Sequence, residues 1–139
     1  MPRRTRHNLG VDRSVREHIA DLDGGGRRVR ELAAAYLGDW LIGACRSRSD
    51  TGGVVNALVG ALLREADADV QEEIAHSLGS LVEYGVVPDQ IVEPLATRLP
   101  SLGAGAAEHI AGVLEAASWQ KVKKPGPLAA GFWWNVATL

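Results

Sequence analysis

Apolar residues recur at intervals of three and four along most of this chain, the spacing that places them on one face of an α-helix. The strongest pattern runs from Arg27 to Ala44, and a similar one runs from Asp69 to Tyr84. We predict six helices, over residues 14–22, 27–44, 50–64, 69–84, 88–99 and 105–118. Leu, Ala and Val supply most of the apolar residues, and aromatics are only 5% of the chain, which favours helices over a β-sandwich. The predicted fold class is all-α.

Local signals mark several helix ends. Asp69 followed by Glu72 predicts a capping box at the start of the fourth helix, and Gly85 predicts its end. The three glycines of 24–26 predict the end of the first helix. Pro94 is compatible with the fifth helix only in its first turn or at a kink.

The predicted helices form three pairs that resemble one another. Residues 29–38 align with 70–79 at an offset of 41, and residues 70–78 align with 106–114 at an offset of 36. The preceding helices also match, because the apolar positions of 55–62 correspond to those of 92–99. Agreement of both helices at similar spacing indicates an internal repeat.

This repeat resembles the HEAT type of helical repeat, a family of α-solenoids built from antiparallel helix pairs. The resemblance rests on residues 70–79 after Ala68-Asp69, on Leu37-Gly-Asp39, and on Val92-Glu-Pro-Leu95. It covers about residues 11–118 and implies a short α-solenoid of about three antiparallel helix pairs. The expected organisation is a flexible basic N-terminus (1–10), a HEAT-like helical repeat domain (11–119), and a basic linker with an aromatic capping tail (120–139).

In HEAT repeats the second helix of each pair lines the concave surface, so the resemblance implies a groove along these helices. A row of glutamates follows one edge of the expected groove, and an apolar residue lies at each end. Such a groove suits a basic helix or peptide with an apolar anchor. First-turn glutamates also complement the helix dipole, and this structural role is compatible with binding. The candidate partner-binding residues are Glu31, Ile42, Glu72, His76, Glu83, Glu108, Glu115 and Trp119.

The formal net charge of -2 conceals an asymmetry along the chain. Residues 1–30 contain eight arginines and four acids, whereas residues 50–100 contain nine acids and two arginines. Nucleic-acid binding is one alternative function, since HEAT-like DNA-repair glycosylases bind DNA on a similar scaffold. We favour a solvated or partner-contacting basic end, because the acidic middle repels phosphates. The residues that serve the nucleic-acid alternative are Arg3, Arg4, Arg6, Arg27 and Arg28.

The histidines do not form a recognisable metal-binding or catalytic pattern. Glu17-His18 and Glu108-His109 are adjacent pairs, but HEAT-like hydroxylases that bind iron use the opposite order, and His76 follows Ala75. No two histidines have the i, i+4 spacing that places ligands on one helical face. We expect no cofactor, no metal and no enzymatic activity, so a metal-dependent or lyase-type HEAT enzyme is the least favoured alternative.

The single cysteine, Cys45, cannot form an internal disulfide, which favours a reducing compartment and a cytoplasmic location. Its neighbours Arg46 and Arg48 could lower its pKa, although a helical cysteine after Gly43-Ala44 is usually a small apolar residue. No apolar run reaches the ~20 residues that a membrane span needs, and no secretory signal is readable. We therefore expect no membrane partner.

The segment after Trp119 is unusual in composition. A short basic stretch, 121–127, leads to an apolar tail that contains Phe132, Trp133 and Trp134. The last pair of a solenoid exposes an apolar face, so we expect the tail to fold back as a cap. Its alternative role is a docking peptide or a contact between copies of the chain in a homo-oligomer.

The sequence as a whole predicts a non-enzymatic protein-interaction module, an adaptor or small inhibitor whose partner carries a basic surface or helix. A toxin-neutralising immunity-type protein is an alternative that small size and charge polarity suggest. Nucleic-acid binding remains a further alternative of a different class.

Overall fold

The computed structural model describes residues 14–123, which form helices with no strand among them. Residues 14–21 are helical and are called α1. The other helices are α2 (Arg27–Arg46), α3 (Gly52–Arg64), α4 (Ala68–Leu78), α5 (Ser80–Tyr84), α6 (Val92–Arg98) and α7 (Ala104–Lys123), with 3-10 turns at Asp89–Ile91 and Leu99–Ser101. The predicted all-α fold class is confirmed over this range.

The ends of α2 follow from its flanking residues. The helix begins directly after the glycines of 24–26 and ends at Arg46, two residues beyond the predicted end. Arg48 then adopts a φ of 57°, the left-handed conformation typical of a helix end. The Ser49 N–H donates to the Ala44 carbonyl at 2.8 Å, which pairs one of the last carbonyls of the helix.

The prediction for the fourth helix is wrong in two details. Its N-cap is Asp67, whose Oδ1 accepts hydrogen bonds from the N–H groups of Asp69 (2.9 Å) and Val70 (3.0 Å). Apolar periodicity does not distinguish two aspartates so close together. The predicted single helix also divides at Gly79 into α4 and α5. A Cβ at Gly79 would lie 3.0 Å from the His76 carbonyl oxygen, so glycine fits this tight connection.

The last two predicted helices also differ from expectation in detail. Residues 89–91 form a 3-10 turn, and the α-helix begins only at Val92. Pro94 lies in the first turn of α6, one of the two places predicted for it, where its missing N–H breaks no helical hydrogen bond. α7 extends to Lys123, so residues 120–123 of the expected linker are helical.

The apolar faces of the helices meet in one core. α2 packs against α4, α4 packs against α7, and α3 and α6 pack against these helices and against each other. Val29 and Leu32 belong to the predicted apolar face of α2 but are 41% and 52% exposed, because the short α1 meets α2 further along, where His18 stacks on Tyr36. The large side chains that are fully buried are Leu37, Leu41, Leu58, Leu62, Ile74, Leu78, Leu81, Leu95, Ile110, Val55, Val70 and Val87.

α2 and α4 approach each other closely at their centres. Ser77 Oγ donates a 2.7 Å hydrogen bond to the Ala34 carbonyl, and this contact is buried. A Cβ at Gly38 would lie 2.9 Å from the Ser77 Cβ, so the absent side chain permits the approach. At the start of both helices, Arg27 of α2 pairs with Asp69 of α4. The two helices therefore run side by side in the same direction.

Four polar residues join the ends of α3 and α6 to the first turns of α2 and α4. Arg30 donates from Nε to Glu65 Oε1 at 2.8 Å and from Nη2 to Glu65 Oε2 at 3.2 Å. The Glu65 carbonyl accepts hydrogen bonds from Gln71 Nε2 (2.8 Å) and Arg98 Nη2 (2.6 Å). Gln71 Oε1 in turn accepts from the Gly103 N–H at 2.9 Å. We call Arg30, Glu65, Gln71 and Arg98 the Glu65 junction.

Candidate protein-binding groove

Two adjoining depressions lie along the surface formed by α2, α4, α5 and α7. The lining residues of the first are Arg27, Glu31, Asp69, Glu72, Glu73, His76 and His109. The lining residues of the second are Ile42, His76, Gly79, Ser80, Glu83, Tyr84 and His109. The depressions share two histidines and so form one continuous surface, which we call the histidine groove.

His76 of α4 and His109 of α7 meet at the centre of the groove. Their ring centroids are 5.3 Å apart, and the rings are edge to face, with an interplanar angle of 78°. One turn earlier on each helix, Glu72 packs against Gly105, where an added Cβ would lie 2.6 Å from the Glu72 Cδ. The glycine thus allows α4 and α7 to approach closely enough for the two histidines to touch.

The first depression carries more negative than positive charge. Its lining includes one arginine, Arg27, which donates from Nε to Glu31 Oε1 at 3.2 Å and also pairs with Asp69. Arg27 Nε further lies 3.7 Å from Asp67 Oδ1. The positive charge is therefore already shared among neighbouring carboxylates.

The remaining acids of the groove are unpaired. Within residues 14–123 the carboxylates of Glu72, Glu73 and Glu83 form no hydrogen bond and no ion pair. Glu72 and Glu83 are exposed, and Glu73 is half-buried. Carboxylates without counter-ions repel one another and give the groove a negative potential that attracts cations.

Asp67, beside the first depression, adds to this potential at neutral pH. The Val70 N–H lowers the pKa of Asp67 below its usual value, partial burial opposes this effect, and Arg27, the Asp69 N–H and Arg30 lower the pKa further. Its carboxylate is therefore ionised throughout the neutral range.

Five of the eight predicted partner-binding residues line the histidine groove, namely Glu31, Ile42, Glu72, His76 and Glu83. The other three, Glu108, Glu115 and Trp119, lie exposed on α7 outside both depressions. The sequence alignment pairs positions 36 apart on these helices. The structure instead places Glu72 beside Gly105 and His76 beside His109, in both cases 33 apart. Neighbouring helices in a repeat need not contact at equivalent positions, and a shift of three residues is almost one helical turn.

The groove also contains residues that the sequence did not assign to it. Asp69, Glu73 and His76 follow one another at helical spacing on α4, so a stripe drawn through His76 would have included them. In the sequence, His109 belongs only to an adjacent Glu-His pair, and Tyr84 only marks the end of a helix. Their contribution depends on how α5 and α7 pack, which periodicity does not reveal.

The other candidate residues have different positions. Arg27 lines the groove and is paired with carboxylates, whereas Arg28 is exposed. Arg3, Arg4 and Arg6 lie outside the described residues, and so do Phe132, Trp133 and Trp134 of the tail.

Three further observations bear on chemistry and location. In the described part of the chain, no group of three or more His, Cys, Asp or Glu residues is arranged to hold a metal ion. None of the helices between residues 14 and 123 is long and apolar enough to cross a membrane. Burial raises the pKa of the Cys45 thiol, and a Cβ at Gly85 would lie 2.7 Å from its Sγ, so Cys45 behaves as a packed apolar residue.

Comparison of the chain with protein-family models, curated proteins and solved structures finds no match. The resemblance to HEAT repeats therefore rests on the residue pattern alone.

Proposed function

We propose that this protein is a non-enzymatic protein-interaction module, an adaptor or small inhibitor, whose histidine groove binds a cationic segment of a protein partner. The observation that carries the proposal is the set of unpaired carboxylates, Glu72, Glu73 and Glu83, along a concave surface. Lysines or arginines of a partner would supply the missing counter-charges and would be steered to the groove by its potential.

The apolar end of the groove supports a partner that also carries an apolar anchor. Ile42 and Tyr84 are half-buried in the second depression, beside Glu83. Arg46 lies over the Tyr84 ring, 5.1 Å from its centroid, in a cation–π contact. An aliphatic or aromatic side chain of the partner would pack on Ile42 and Tyr84 while its basic residues reach the carboxylates.

We further propose that the helices form a short α-solenoid of HEAT-like pairs, α1 with α2, α3 with α4, and α6 with α7. One support is the contact of α2 with α4 and of α4 with α7. A second support is a matching set of contacts among the first helices of the proposed pairs, α1, α3 and α6. Arg64 Nε at the end of α3 donates to Asp23 Oδ1 just after α1 at 2.6 Å, and Arg98 Nε at the end of α6 donates to the Leu62 carbonyl at 3.0 Å. In such an arrangement the groove lies on the layer of second helices, where HEAT repeats bind their partners.

Calorimetric titration of the full-length protein with a synthetic peptide tests the binding proposal. The probe is a short amphipathic peptide with lysine and arginine on one face and leucine on the other, and its scrambled isomer is the peptide control. We expect salt-dependent binding that the triple variant E72K/E73K/E83K weakens at least about tenfold, because each reversal replaces attraction with repulsion.

The control variant is D89K/E93K, which reverses Asp89 in the turn before α6 and Glu93 in its first turn, both outside the groove. Equal loss of binding in both variants would show that only the overall charge matters and would contradict a specific groove. Unchanged binding in the triple variant would contradict it as well.

A further inference from the structure

The two histidines of the groove differ from the other histidine that the structure describes. His18 donates from Nδ1 to the Ser14 carbonyl at 2.6 Å, and its ring stacks on Tyr36 at a centroid distance of 3.7 Å. In the described part of the chain, His76 and His109 contact each other but form no hydrogen bond and no ion pair. Their ring nitrogens are therefore available to a ligand from outside the fold.

Both rings can be reached from solvent through the groove. His76 is exposed and His109 is half-buried, and each of them lines both depressions. The two residues belong to α4 and α7, so their backbone positions are fixed by two packed helices. The pair is thus a preformed arrangement of two imidazoles.

The separation of the rings matches that of two imidazoles bound to one metal ion. Zn²⁺ binds histidine nitrogen at about 2.0 Å in tetrahedral geometry, which places the centroids of two bound rings roughly 5 Å apart. The centroids of His76 and His109 are 5.3 Å apart. Their interplanar angle of 78° also suits a shared ion, because each ring plane has to contain only its own metal–nitrogen bond. Binding therefore requires no movement of α4 against α7.

The charge around the pair favours a cation. Glu72 precedes His76 by one turn of α4 and packs against Gly105, which precedes His109 by one turn of α7. Glu72 and Glu83 line the depressions and form no ion pair with any described residue. Their negative potential raises the local concentration of divalent cations.

We propose that His76 and His109 together bind one divalent metal ion of the kind that prefers imidazole, such as Zn²⁺, between α4 and α7. Zinc, copper and nickel favour imidazole, whereas magnesium and calcium favour oxygen ligands. Two protein ligands leave the other positions of the ion to water, so the site needs no cluster of three ligating residues. The spacing of histidines along the sequence gives no sign of this site, because its two ligands lie 33 residues apart on different helices.

Calorimetric titration of the untagged full-length protein with ZnCl₂ at neutral pH tests the inference. We expect one ion per chain, with an affinity that H76Q and H109Q each weaken at least about tenfold. The double variant H76Q/H109Q should bind little more weakly than either single variant, because loss of one histidine already removes the pair. H7Q is the matched control, since it also removes one of the four histidines, and it should leave the affinity unchanged.

A parallel titration with MgCl₂ separates binding by histidine from binding by carboxylates. We expect no comparable binding of Mg²⁺, because the proposed ligands are nitrogens. The probe is the metal ion alone, so this inference and the proposed binding of a protein partner can fail independently.

Four results would overturn the inference. Absence of Zn²⁺ binding would exclude the site directly. Zn²⁺ binding that only one of H76Q and H109Q weakens would show that the two rings do not share an ion. Equal weakening in H7Q would remove the distinction between this pair and any other histidine. Mg²⁺ binding as tight as that of Zn²⁺ would assign the ion to the carboxylates.

Discussion

The Glu65 junction and the histidine groove both contain glutamates, but the junction pairs its glutamate and the groove leaves three of its glutamates unpaired. In the junction the Glu65 side chain is 7% exposed and its carboxylate bonds Arg30 and the Asp67 N–H. In the groove the carboxylates of Glu72 and Glu73 find no partner among residues 14–123. The carboxylate of the junction is paired within the fold and joins helix ends, whereas the unpaired carboxylates of the groove remain available to another molecule.

This difference separates residues that serve the fold from residues that, under the proposed function, contact a partner. No buried side-chain nitrogen or oxygen in the described part of the chain lacks a hydrogen-bond partner. Polar groups inside the fold are therefore satisfied, as stability requires. The unpaired acids lie at the surface, where the lack of a partner changes the free energy of unfolding little. A bound cation would remove the repulsion between them.

The largest expected effect is at the centre of the junction. Glu65→Ala removes the acceptor of Arg30 and of the Asp67 N–H, and we expect a loss of about 2 kcal/mol in the free energy of unfolding. Urea denaturation measures it. Glu73→Ala in the groove is the control and should change stability by less than about 0.5 kcal/mol. Similar losses for both variants would remove the distinction between the two regions.

A smaller effect is expected at Gln71, which is 4% exposed and bridges the Glu65 carbonyl and the Gly103 N–H. Gln71→Leu keeps much of the side-chain volume but leaves a buried donor and acceptor without this bridge, so we expect a loss of about 1–2 kcal/mol. Thermal or urea unfolding checks this. A neutral result would mean that water replaces the glutamine and that the bridge adds no stability.

Asp67 links the two regions and gives a pH signature. Its pKa is lowered in the folded state, so the folded protein binds fewer protons there, and the resulting stability is present above the unfolded pKa of about 3.9. That stability is lost as the pH falls through the lower folded value. Asp67→Asn retains a capping oxygen without the charge. We therefore expect the stability difference between wild type and D67N in urea to shrink as the pH is lowered below about 4, and a constant difference would contradict this assignment.

The smallest effect on stability is expected in the groove itself. E72Q/E73Q/E83Q removes three charges that hold nothing together, so the free energy of unfolding should stay within about 0.5 kcal/mol of wild type or rise slightly. Binding of the basic amphipathic peptide should weaken in the same protein. A loss of stability above about 1 kcal/mol would show that these carboxylates serve the fold.

The fold was predictable wherever the apolar pattern decides it. Burial follows the spacing at Leu37, Leu41, Leu58 and Leu62, because the apolar stripe of an amphipathic helix packs into the core. The choice of Asp67 over Asp69 as N-cap was not predictable, since both precede the same stripe. The groove was predicted in part. Positions on α4 follow from one helix, but the pairing of His76 with His109 depends on the contact at Gly105, and no spacing within one helix encodes it.

The most direct test of the central claim is an NMR titration of the full-length protein with the basic amphipathic peptide. If the histidine groove is the docking surface, the largest chemical-shift changes will map to His76, His109, Tyr84 and the groove-facing residues of α2 and α4. The changes will weaken as salt is added. Changes that map instead to α3 and α6, or that spread evenly over the acidic surface, would contradict the account.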